Sequence, residues 1–84
     1  MVSKDYNFHA KCMSSKQEKQ FLDSLARKIA LQRKSKGLSQ ERLAELADVD
    51  RVALANIETG RRRPTVTTLY RLARGMKIHV RDFF

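Results

Sequence analysis

Residues 38–60, LSQERLAELADVDRVALANIETG, decide how this chain is read. Two short helical patterns flank a tight connection, Asp48-Val49-Asp50. On a 3.6-residue period Leu43, Leu46 and Ala47 share one face of the first helix, and Leu54 and Ile57 share one face of the second. Small Ala44 stands where the two helices should cross, and Val49 should plug the gap between them. The outer face of the second helix is left with Arg51, Val52, Ala55 and Asn56. A helix fixed on one side and free on the other is what a helix-turn-helix pair requires. Its free side can carry groups to base edges in a groove.

Working outward, Ser39 should cap the helix Gln40 to Ala47, and Asp50 the helix Arg51 to Thr59, each through a side-chain oxygen that accepts from a first-turn amide. Asp48 falls where a left-handed residue is expected, a conformation Asp adopts less readily than Gly. Upstream, Ser15-Lys16-Gln17-Glu18 has the form of a capping box. A long helix should follow to about Lys36, with Phe21, Leu22, Leu25, Ala26 and Ile29 as its apolar stripe. Lys34 and Lys36 complement the negative pole at its end, and Gly37 supplies a left-handed stop. Downstream, Gly60 ends the second helix of the pair, and in Arg61-Arg62-Arg63-Pro64 the proline blocks continuation. Thr65 caps a fourth helix whose buried stripe is Val66, Leu69, Leu72, Ala73 and Met76. Gly75 costs that helix about 1 kcal/mol relative to Ala, so fraying or a stop is expected there. A last short turn, from about His79 to Phe84, completes an all-α fold. Residues 1–14 show no clean period and read as an N-terminal arm, leaving residues 15–84 as one domain.

Eighty-four residues can bury only a modest core. Eighteen Lys and Arg against nine Asp and Glu give a formal charge of +9, which implies a polyanionic partner, nucleic acid foremost. Ribosomal proteins and membrane-surface peptides share that charge, so it does not decide the matter alone. The single cysteine, Cys12, cannot form an internal disulfide, which fits a reducing cytosol. Lys4, Asp5, Asn7, His9 and Lys11 interrupt the first residues, so no signal-peptide core is expected there. No apolar run approaches the roughly 20 residues of a membrane span, and the expected location is the cytoplasm, on the nucleoid. His9, Cys12 and His79 are too scattered for a metal site, and there is neither a Gly-rich phosphate loop nor a His-Glu-x-x-His pattern. Neither catalysis nor a metal or other cofactor is expected.

An ordered series of residues then carries a resemblance: Arg33, Gly37-Leu38-Ser39-Gln40, Leu43-Ala44, Ala47, Val49, Ile57-Glu58-Thr59-Gly60, Arg62, Pro64, and Leu69 with Leu72-Ala73. Over roughly Leu22 to Phe84 the chain resembles the Cro/phage-repressor (XRE) type of helix-turn-helix domain, with departures at Asp48 and Lys77, where Gly is common. The resemblance implies a compact five-helix, lambda-repressor-like domain that binds double-stranded DNA as a homodimer and regulates transcription, typically as a repressor. It implies base reading by Arg51, Val52 and Asn56, chemistry that suits guanine, a thymine methyl and adenine respectively. Phosphate contacts are implied for Gln40, Thr59, Arg61, Arg62 and Arg63, and a structural ion pair for Arg33 with Glu58. The ending RGMKIHVRDFF is further similar to controller proteins of restriction–modification systems, which points to Val80, Phe83 and Phe84 as the dimer interface. An alternative keeps the domain but makes the arm a docking segment, as in an antitoxin that binds a partner protein and represses its own operon.

Overall fold

Three helices begin where the sequence predicts a capping oxygen. Ser39 Oγ accepts from the Arg42 amide at 3.0 Å, Asp50 Oδ2 from Ala53 at 3.1 Å, and Thr65 Oγ1 from Thr68 at 3.1 Å. These bonds satisfy amides that have no partner inside the helix, and each is worth about 1 kcal/mol. A computed structural model describes residues 15–84. The arm expected over residues 1–14 lies outside the described residues, and the capping box expected at Ser15 falls at their edge. In chain order the helices are α1 (Ser15–Ser35), α2 (Gln40–Ala47), α3 (Arg51–Glu58) and α4 (Val66–Met76). The predicted fifth helix is a single 3-10 turn, Val80–Phe83, so the described residues hold four α-helices and no strand. Four residues are enough for one tight turn and too few for an α-helix that sustains itself.

The core is the set of residues that the helical period places inward. Ile29, Leu43, Leu54 and Leu72 are fully buried, with Leu25, Ala44, Ala47, Ile57, Leu69, Ala73 and Met76 around them. Leu38, Val49 and Ile78 pack against this cluster from the connections, Val49 in the gap assigned to it. Phe83 closes the base of the core and is only 1 % exposed. Three residues counted in apolar stripes lie outside it. Phe21, Leu46 and Val66 are exposed, because each stands at the margin of its stripe, beyond the reach of the neighbouring helix.

Asp48 takes the left-handed form expected of it, and Lys77, a second departure from Gly, takes it too. Asp48 has φ 55° and ψ 49°, and Lys77 has φ 61° and ψ 42°, both without the glycine that would remove the steric cost. The stop expected near Gly75 comes one residue later, at Met76, and Gly75 itself lies inside the last turn of α4. A Cβ built there would lie 3.1 Å from Leu43 Cδ1, 3.2 Å from the Ala47 amide nitrogen and 3.3 Å from Ala47 Cβ. Gly75 therefore lets α2 lie directly on α4. Gly75→Ala should gain about 1 kcal/mol of helix propensity and lose about 1–3 kcal/mol to overpacking. A net loss of about 1 kcal/mol is expected in urea denaturation, and a net gain would mean that α2 shifts freely.

Candidate nucleic-acid interface

The α2–α3 connection is built from local bonds. The Asp48 amide donates to Glu45 O at 3.3 Å, and the Val49 amide to Ala44 O at 2.9 Å, which ends α2 and turns the chain. Asp50, extended at φ −64° and ψ 135°, then caps α3. Leu54 and Ile57 anchor α3 in the core, and Arg51 and Val52 stand exposed at its first turn. Ala53, Ala55 and Asn56 are half-buried along its flanks. One short helix thus presents a cation, a branched apolar side chain and an amide outward from a fixed base. That combination can meet a guanine edge, a thymine methyl and an adenine edge.

Beyond α3 the loop folds back on the helix end. The amides of Arg61 and Arg62 both donate to Asn56 O, at 2.9 and 3.2 Å. Thr59 Oγ1 donates to Ala55 O and Asn56 O, at 3.2 and 3.1 Å, and keeps lone pairs free for a donor. Gly60, at φ 79°, lets Asp23 of α1 approach to where a Cβ would meet its Oδ1 at 2.7 Å. The three arginines then part company. Arg63 turns to α1 and pairs with Glu18 at 2.7 Å, whereas Arg61 and Arg62 are exposed and form no ion pair among the described residues. Arg63 thus has an acidic partner on α1, in a pair whose side chains are both exposed.

On the other side of the pair, Glu58 accepts from Arg33 Nε at 2.8 Å and Arg33 Nη2 at 3.0 Å, a two-pronged bond that the guanidinium plane favours. Arg33 Nη1 also donates to Leu38 O at 2.8 Å. Gln40 Nε2 donates to the same carboxylate, at 3.0 Å. Gln40, expected at a phosphate, is therefore pinned at the first turn of α2, with one amide hydrogen already engaged. This network ties α1, the α1–α2 turn, α2 and α3 together. Neither the Gln40–Glu58 bond nor the Glu18–Arg63 pair was foreseen. The residues of each are 18 and 45 positions apart, and the sequence pattern assigns Glu18 to a local capping box instead.

At the C-terminus, Phe83 is removed from the expected dimer interface, because its ring is spent on the protomer's own core. Phe84 instead lies outside, stacked on Phe21 with centroids 6.3 Å apart and planes 19° from parallel. His79 opens the 3-10 turn, its amide donating to Asp82 Oδ2 at 3.2 Å. Among the described residues no helix is long and apolar enough to cross a membrane.

The model of one helix-turn-helix family, HTH_3, matches residues 29–83, from the middle of α1 through the 3-10 turn. The chain belongs to the HTH_3 helix-turn-helix family. Its XRE character, carried in the sequence by the series from Arg33 to Ala73, agrees with this HTH_3 assignment. A relative in Sinorhizobium fredii, an uncharacterised HTH-type transcriptional regulator, is 41 % identical over 46 residues, which are 55 % of this chain and 60 % of the relative. The matched region thus spans less than two thirds of that relative's length. Among solved structures, the restriction-modification controller protein C.AhdI from Aeromonas hydrophila is 33 % identical with a TM-score of 0.74, covering 75 % of this chain and 96 % of the controller. An HTH_3 family transcriptional regulator from Vibrio cholerae is 35 % identical with a TM-score of 0.76, over 79 % of this chain and 37 % of the regulator.

Proposed function

We propose that this HTH_3 protein is a transcriptional regulator that binds double-stranded DNA sequence-specifically, as a homodimer, with α3 in the major groove. The observation that carries this reading is the outward first turn of α3, Arg51 and Val52 exposed on a helix whose other side is locked by Leu54 and Ile57. Arg51, Val52 and Asn56 read bases. Arg61 and Arg62, beside them and without an ion pair among the described residues, hold phosphates, which position the domain without conveying sequence. Gln40 and Thr59 supply further phosphate contacts from the two helix ends, and Arg63 can exchange its exposed bond to Glu18 for a phosphate at small cost. The net charge of +9 supports a polyanionic ligand. Two half-sites about 34 Å apart would be read by two protomers, because one α3 touches too few base pairs for strong discrimination. Residues 1–14 precede this single DNA-binding domain as an arm, and the protein works in the cytoplasm, where its DNA lies.

A narrower reading makes the protein a controller in a restriction–modification system. It is supported by the match to C.AhdI over 96 % of that controller's length. Selection of bound sequences from a random DNA pool tests the main proposal. A two-fold-symmetric consensus is expected, and recovery of no consensus at any salt concentration would refute it. Arg62→Ala should weaken binding to every sequence alike. For two protomers it should also lower the slope of log affinity against log salt by about 1.8, about 0.9 for each lost phosphate contact. An unchanged slope in a salt titration would remove Arg62 from the phosphate set.

A further inference from the structure

The loop after α3 meets two carboxylates of α1 that the DNA-binding reading does not use. Arg63 Nη2 pairs with Glu18 Oε2 at 2.7 Å. Asp23, to which Lys19 Nζ donates at 3.2 Å, lies against Gly60. Both carboxylates precede residue 29, where the family match begins. Negative charge thus sits at both ends of a loop whose three arginines are exposed. Among the described residues no other ion pair reaches Arg63, although Asp48 and Asp50 line the same cleft as Arg62 and Arg63. The Glu18 and Arg63 side chains are 53 and 72 % exposed, so no core opens when they part. A backbone phosphate offers the guanidinium the oxygen geometry that a carboxylate does. Any phosphate drawn to Arg63 must displace Glu18 or lie beside it against like charge.

We infer that Glu18 is an intramolecular competitor for DNA phosphate, holding Arg63 and so lowering the affinity of the domain for DNA. The inference rests on the DNA-binding reading above and adds the residue that limits it. The strength of the pair bounds the effect. An exposed ion pair supports at most about a fivefold bias, so two protomers lose up to about twenty-fivefold in affinity. The loss falls on every sequence, because a phosphate contact carries no base information. Glu18 therefore sets how tightly the protein binds and leaves its base preference to α3. Salt screens the Glu18–Arg63 pair, so the competition is strongest at low ionic strength.

Fluorescence anisotropy with a short duplex of random sequence tests this on the full chain, comparing wild type, Glu18→Gln, Arg63→Gln and the double variant. Glutamine keeps the size of the Glu18 side chain and removes its charge, and a retained helical circular dichroism spectrum checks the fold. At low salt Glu18→Gln should bind between about twofold and twenty-fivefold tighter than wild type. That gain should fade as salt rises. In the Arg63→Gln background the same change should give less than half the gain, since only one negative charge is then lost. An equal gain in both backgrounds would trace the effect to net charge, and the competition would fall. Unchanged binding by Glu18→Gln would overturn it as well. Weaker binding would do so by showing that Glu18 holds the loop ready for DNA. Each of these results leaves DNA binding standing. A wild type that fails to bind the duplex at low salt overturns both readings.

Discussion

Replacing Glu58 by Ala should remove about a quarter or more of the domain's folding stability. The Glu58 side chain is 4 % exposed and the Arg33 side chain 11 %, so the guanidinium would lose its countercharge while remaining out of water. Arg33 would keep only Leu38 O, and Gln40 Nε2 would lose its acceptor in the same stroke. Breaking a buried pair from one side costs about 3–5 kcal/mol. A domain of this size has only about 4–13 kcal/mol of total stability. Urea denaturation of Glu58→Ala should therefore show a midpoint lowered by about a quarter or more of its wild-type value. The double variant Arg33→Met with Glu58→Leu should recover most of the loss, because apolar replacements of similar size do not strand a charge. If Glu58→Ala cost less than about 1 kcal/mol, water would be reaching the pair and the network would not be the clasp described above.

Arg51→Ala carries the largest expected effect on DNA. A bidentate arginine–guanine contact discriminates by about 1–3 kcal/mol, and a symmetric operator contains it twice. The variant should lose about 2–6 kcal/mol on its preferred operator, from roughly thirtyfold to roughly twenty-thousandfold in affinity. It should lose far less on unrelated DNA. Because Arg51 is exposed and outside the core, its melting temperature should not change. Repeating the random-pool selection with Arg51→Ala should relax one base pair in each half-site and leave the others. Uniform weakening across all sequences would instead assign Arg51 to a phosphate.

What could be read from the chain alone follows the range of the interaction concerned. Ser39, Asp50 and Thr65 were legible as caps because each bonds to an amide three residues on, a distance fixed by the helix itself. Leu43, Leu54, Ile57 and Leu72 were legible because a 3.6 period selects a face. The period does not say how wide a neighbour covers that face, which is why Phe21, Leu46 and Val66 were placed inside and lie outside. Phe83 and Phe84 are adjacent, and only the pitch of the 3-10 turn decides which of them enters the core. The packing role of Gly75 is hidden for the same reason. Its propensity cost belongs to an isolated helix, whereas its purpose is the contact with Leu43 and Ala47 across 28 or more residues of chain. Arg33 with Glu58 was reachable through the family resemblance alone, since no local rule links positions 25 apart.

The Glu58 clasp and the bare Gly75 contact together have a consequence for operator architecture. They fix α3 against α1 from one side and α2 against α4 from the other, so in the proposed dimer a protomer would not lean to meet a displaced half-site. Any tolerance of an added or deleted base pair between half-sites must come from the seam between protomers or from bending of the DNA. The operator lengths this protein accepts would then serve as a ruler for the give in that seam.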